Sequence, residues 1–154
     1  GVSGLLALDQ TDERLNTTAF TSAKAGLVSA LAAEGSKFLI GRSRPEAGNG
    51  GSDFHPLDSG NGNSAFPSGH TAVMWAALTP YAKEYEMPWL YGVAALTNIG
   101  RVAGREHWFS DTVGGAFLGY AVGSLMWESQ RKTSKQGAEW MVSPSGVAFS
   151  WKTD

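Results

Sequence analysis

The chain has 154 residues, with 12 Lys and Arg against 14 Asp and Glu, 42% hydrophobic residues and no cysteine. That length suffices for one domain with a real core, and a net charge of −2 argues against a nucleic-acid binder, which needs a basic face. Without cysteine there are no disulfides, thiolate nucleophiles or Cys-ligated zinc, and the redox compartment stays open.

In chain order, the opening GVSGLLALDQTDER has too short an apolar stretch and no basic region, so it does not read as a signal peptide. The chain does not begin with Met and is expected to be a mature or trimmed form. Asn16 or Thr17 is expected to cap a first helix through AFTSAKAGLVSALAAEGSKFLIG. That helix should end by about Ser43, because Arg44 precedes Pro45 and is pushed out of the α region. A glycine-rich stretch, Ala47 to Ser64, follows inside the domain and reads as a lid or binding loop.

Ser68 is expected to cap a second helix through HTAVMWAALTPYAKEY. Pro88 suits the start of a third, MPWLYGVAALTNIGRVAG, which Gly104 can terminate. Ser110 is expected to cap a fourth, DTVGGAFLGYAVGSLMWESQRK, in which Gly115, Gly119 and Gly123 flatten one face for close approach of another helix. Its uncharged run, Thr112 to Trp127, falls short of the ~20 residues that span a bilayer and reads as a core helix, with attachment to a membrane surface left open. The tail from Glu139 to Lys152 reads as a small β-hairpin around Ser143 to Gly146. The expectation is a single domain over 1–154: an all-α helical bundle with a short C-terminal β-hairpin.

Three segments carry chemistry: KFLIGRSRP (Lys37 to Pro45), PSGH (Pro67 to His70) and RVAGREHWFSD (Arg101 to Asp111). Lys37 and Arg44 lie seven residues apart, close to two helical turns, and Arg101 sits near the end of the third helix. A phosphoryl group needs several donors around its equatorial oxygens, and two arginine forks with one lysine point charge suit it. The helix start at Ser68, Gly69 and His70 adds free amides, the positive dipole end and room for close backbone approach. His107 and Asp111 are spaced so that the carboxylate can meet one imidazole nitrogen and leave the other free to attack. His70 would then protonate the leaving oxygen and later activate water.

The order K-x6-RP, PSGH, R-x5-H-x3-D resembles the phosphatidic acid phosphatase type 2 (PAP2) superfamily, which includes class A bacterial acid phosphatases, lipid phosphatases and vanadium haloperoxidases. The resemblance covers the motif core, residues 37–115, and the HW-x-SD-x-x-GG run from His107 is similar to many bacterial members. It implies phosphate binding by Lys37, Arg44, Arg101, Ser68 and Gly69, with His70 as general acid, His107 as nucleophile and Asp111 as its partner. The third motif usually opens Ser-Arg; here Gly100 precedes Arg101, which removes one hydroxyl contact. The resemblance further implies a metal-independent phosphatase working through a phosphohistidine, with no cofactor, although phosphate or vanadate can occupy the pocket. The expected partner is a phosphorylated substrate, a lipid phosphate, polyprenyl pyrophosphate or small monoester, and the expected location is periplasmic or otherwise extracytoplasmic.

Each residue has a plainer reading in isolation. Lys37, Arg44 and Arg101 would be helix-end cations, His70 a first-turn residue, and His107 with Asp111 an ordinary contact. His55 between Asp53 and Asp58 reads as loop, Arg42 as peripheral, and Arg105 and Glu106 as solvent-facing. Phe66, Trp75, Trp108 and Phe109 read mostly as core, with Phe66 and Trp108 as candidates for a substrate mouth. Competing functions are a vanadium haloperoxidase, a non-catalytic anion-binding module, and a two-metal hydrolase built on Asp53, His55, His107 and Asp111.

Overall fold

A computed structural model of the chain describes residues 2–58 and 62–138. Four helices occur among them: α1 (Val2–Ile40), α2 (Gly69–Glu84), α3 (Leu90–Ala103) and α4 (Phe109–Ala138). The all-α expectation holds there, with one isolated bridge, Arg42 to Phe54, as the strand-like pairing among the described residues. The hairpin expected at 139–152 lies outside the described residues.

Helix α1 does not start at Asn16 or Thr17 but runs through them from Val2. The hydroxyls that suggested a cap turn back into the helix instead. Thr17 Oγ1 donates to Glu13 O at 2.8 Å and Thr18 Oγ1 to Arg14 O at 2.9 Å. The helix stops at Gly41, earlier than Pro45 demands. Gly41 has φ +58°, and a Cβ there would lie 1.7 Å from the carbonyl oxygen of His55, so only glycine lets the loop strand cross so closely.

Helix α2 begins where expected, with Ser68 in extended conformation at its N-cap. The Ser68 hydroxyl does not cap the helix; it accepts a hydrogen bond from Thr71 Oγ1 at 3.0 Å. Helix α3 ends at Gly104 as expected. Helix α4 begins at Phe109, one residue before the expected cap, because the Asp111 side chain reaches back to accept from the Trp108 amide at 2.7 Å.

The core is made of small side chains. Thr18, Thr21, Ser22, Ala25, Ser29 and Ala33 form one stripe of α1, and Thr71, Ala72, Ala76 and Thr79 one of α2. Against them α4 presents its glycines: a Cβ on Gly115 would lie 2.5 Å from Ser68 O, and one on Gly119 2.2 Å from Ala72 O. The expected flat glycine face is therefore the seam on which α2 and α4 touch backbone to backbone. Long apolar side chains are displaced outward, among them Phe20, Leu31, Leu96, Ile99, Phe109 and Phe117, each more than 60% exposed. No helix among the described residues is long and apolar enough to cross a membrane.

Candidate active site

The C-terminal end of α1, the N-terminal ends of α2 and α4 and the C-terminal end of α3 gather at one end of the bundle. Residues 41–58 and 62–68 are stitched over that end by backbone bonds: His55 N to Gly41 O (2.7 Å), Ser43 N to Asp53 O (3.0 Å), Arg44 N to Gly62 O (2.8 Å) and Ala65 N to Arg42 O (2.9 Å). Ser68 N donates to Asp111 O at 2.9 Å, which joins the second segment to the third.

Lys37 reaches the start of α2: a Cβ on Gly69 would be 3.3 Å from Lys37 Nζ. The first intrahelical bond of α2 is Ala72 N to Ser68 O. The amides of Gly69, His70 and Thr71 therefore lie ahead of the helical ladder, the setting in which a helix end receives anions. Each expected cation has a carboxylate beside it. Lys37 meets Glu34 at 2.5 Å, Arg44 meets Glu46 at 3.9 Å, and Arg101 bonds to Glu106. Glu106 keeps a solvent-facing side chain, 39% exposed, while pairing with Arg101, and Arg105 is exposed as expected. The two arginines are not saturated by these contacts. The Nε atoms of Arg44 and Arg101 are buried without a hydrogen-bond partner. A buried donor left in that state is costly unless something else receives it.

His107 is only 2% exposed. Its Nδ1 lies 2.7 Å from the carbonyl oxygen of Ala65, an acceptor only, so Nδ1 carries the proton and Nε2 of the neutral ring keeps its lone pair. Tautomer fixation was expected from Asp111, but Asp111 Oδ2 stands 3.8 Å from Nδ1, beyond hydrogen-bond distance. The backbone of Ala65 orients the ring, and Asp111 acts on it only as a nearby charge. No sequence signal marks Ala65, because any residue supplies a carbonyl.

The carboxylate has other partners. Asp111 is fully buried, and its Oδ1 accepts from Arg42 Nη1 at 2.5 Å. Arg42, read as peripheral from its spacing, lies under the site. Trp108, a candidate for a substrate mouth, is half-buried, and its Nε1 donates to Ser43 O at 2.9 Å, which clamps the loop to the third segment. Phe66 likewise packs on α4, where a Cβ on Gly114 would be 2.6 Å from its ring. Phe109, expected in the core, is 70% exposed.

His70 is exposed at the first turn of α2. Partial burial pulls its pKa below the ordinary 6.5, helped by the charges of Arg101, His107 and Lys37 and opposed by Glu106. His70 thus lies in the field of both other segments, and Lys37, His70, Arg101 and His107 share one end of the bundle. In the loop, Asp53 Oδ2 accepts from Ser43 Oγ at 2.6 Å and lies 3.1 Å from His55 Nε2, and these contacts hold its carboxyl below the usual range. Asp53 and His55 pair with each other while Asp111 pairs with Arg42, and among the described residues no group of three or more His, Asp or Glu is placed to hold a metal ion.

The sequence profile of the PAP2 superfamily matches residues 18–135. A lipid A 1-phosphatase of Porphyromonas gingivalis is 36% identical over 95 residues, covering 58% of this chain. The chain spans 18% of that relative's length. No solved structure matches.

Proposed function

The chain belongs to the PAP2 superfamily, and from that premise we propose that it is a phosphoric ester hydrolase that works through a phosphohistidine. The observation that carries the reading is that one end of the bundle holds both a lone-pair-bearing His107 Nε2 and two arginines whose buried Nε donors lack partners. A bound phosphoryl group supplies the missing acceptors. In the reaction, Nε2 attacks phosphorus and the bond to the leaving oxygen breaks, with the proton of His70 passing to that oxygen. Water, deprotonated by His70, then attacks phosphorus, the P–N bond breaks, and inorganic phosphate leaves with His107 restored. Lys37, Arg44, Arg101 and the amides at Gly69 hold the equatorial oxygens, whose charge is greatest in the transition state. The residues accomplish this with no step routed through a metal.

The substrate class we propose is a phosphorylated lipid. The relative named a lipid A 1-phosphatase supports it, as does the apolar stripe of Phe109, Val113 and Phe117, spaced by one helical turn and beginning two residues after His107. Exposed apolar area of that kind suits acyl chains beside the reacting phosphate. An extracytoplasmic location, with the exposed apolar side chains against a membrane surface, goes with this proposal.

The test compares p-nitrophenyl phosphate with phosphatidic acid and lipid A in mixed micelles, with EDTA present, for the parent and His107→Ala. The lipid phosphates should be turned over with the higher kcat/KM, and the variant should lose about 1,000-fold or more in kcat on each substrate. A variant as active as the parent would refute the phosphohistidine, and a clear preference for the small ester would refute the lipid.

A further inference from the structure

The side chain of Arg42 is bound at every donor that faces the protein. Nε and Nη2 donate to Gly51 O at 2.9 and 2.6 Å, a fork on one carbonyl. Nη1 donates to Asp111 Oδ1 at 2.5 Å and to Ser110 Oγ at 2.7 Å. The guanidinium lies 5.6 Å from the Phe54 ring and 5.8 Å from the Trp108 ring, and the side chain is 13% exposed. Through its backbone, Arg42 O accepts from Ala65 N, and Ala65 O in turn receives the His107 Nδ1 proton.

One residue thus joins three things that must stay in register: the glycine-rich loop through Gly51, the N-terminal turn of α4 through Ser110 and Asp111, and the segment whose carbonyl sets the His107 tautomer. Lysine cannot replace this, since a single ammonium cannot fork onto Gly51 and reach Asp111 together. A buried carboxylate without a countercharge is expensive, so Asp111 needs this neighbour. The other cations at the site, Lys37, Arg44 and Arg101, have Glu34, Glu46 and Glu106 as their ion-pair partners.

We infer that Arg42 is a positioning residue for phosphoryl transfer: acting through Asp111 and the docked loop, it holds His107 in line for attack without touching the phosphoryl group. The inference rests on the phosphohydrolase reading, and it separates transition-state complementarity from simple anion binding. Loss of Arg42 should weaken the enzyme's hold on a trigonal-bipyramidal ligand bonded to His107 far more than on tetrahedral phosphate.

The experiment measures vanadate and inorganic phosphate affinities by calorimetry, together with kcat and KM on p-nitrophenyl phosphate, for the parent, Arg42→Met and Arg42→Lys. Helical content and Tm are recorded for each. For Arg42→Met, kcat should fall about 100-fold with KM changed less than about threefold, the scale of a displaced reacting group. Vanadate affinity should fall at least about tenfold while phosphate affinity holds, and Arg42→Lys should recover part of both losses. Combining Arg42→Met with Asp111→Asn should cost little beyond the worse single change, since the two act as one unit. If Arg42→Met does not fold, Arg42→Lys carries the test through the same split between vanadate and phosphate. Parental vanadate affinity and kcat in a folded variant would overturn the inference, as would equal losses for phosphate and vanadate. The phosphohydrolase reading fails separately, when His107→Ala retains activity or the parent binds neither anion.

Discussion

The two ends of the bundle are both rich in charge, and they use it differently. At the end away from the site, Arg14 donates to Glu84 at 2.6 Å and lies over the Tyr85 ring. Glu84 also accepts from Trp127 Nε1 at 2.9 Å, and Lys83 and Arg131 sit on the Trp127 ring. A cavity of about 800 Å³ opens there, between Glu13, Arg14, Lys83, Glu84, Trp127 and Arg131. At the other end Arg44 and Arg101 keep buried Nε donors without partners, and His107 has a free lone pair on Nε2. The proposed site lies at the end away from this cavity. Unsatisfied donors favour that end under the proposed reading, because a saturated ion pair has little left to offer a ligand, whereas a buried orphan donor stabilises whatever acceptor reaches it.

The sharpest way to break this comparison is to delete one arginine from each end. Arg101→Met should lower kcat/KM on p-nitrophenyl phosphate about 100- to 1,000-fold, the usual cost of one transition-state donor. Arg14→Met, which removes an exposed ion pair, should leave kcat/KM at the parental value in the same assay. Equal losses would mean that the two ends do not differ in function.

A second prediction concerns what the ends share, the α2–α4 seam. Gly119→Val places side-chain atoms where the backbone of Ala72 already lies and should cost about 1–3 kcal/mol of stability. In a domain of this size that lowers Tm by about 2–4 °C per kcal/mol in calorimetry. An unchanged Tm would show that the seam is looser than the close approach of its backbones implies.

The smallest effect is a pH shift confined to the site end. His70 must be protonated to donate, and its pKa is held below 6.5 by partial burial and by Arg101, His107 and Lys37. Activity that needs the protonated form is lost as pH rises through that lowered value, so the alkaline limb of kcat/KM should lie below pH 6.5. In the limb of kcat, the bound phosphoryl anion adds negative charge beside His70, and the limb should move to higher pH. Glu106→Gln removes the carboxylate that raises the His70 pKa, and should move the kcat/KM limb lower still. Superimposed limbs above pH 6.5 would remove His70 from the acid's role.

Much of the architecture was legible because its causes are local. Ser68 ahead of Gly69-His70 marks a helix start, Gly104 a stop, and glycines four apart a face where backbones meet. The same locality misled at Asn16 and Thr17, whose hydroxyls satisfy themselves inside α1 as readily as they would cap it. Phe109 was misjudged for a related reason: exposure depends on neighbours that spacing does not reveal.

By itself the sequence determined the chemistry on offer: three cations, two imidazoles and a carboxylate in an order that marks the PAP2 superfamily, set around helix ends whose positions short-range rules dictate. Only the tertiary structure decided how those groups are held. Arg42 meets Asp111 across 69 residues, and His107 donates a hydrogen bond to a carbonyl 42 residues away. Contacts between such distant positions leave no periodicity in the chain, and a backbone acceptor such as that of Ala65 has no residue type by which to be recognised.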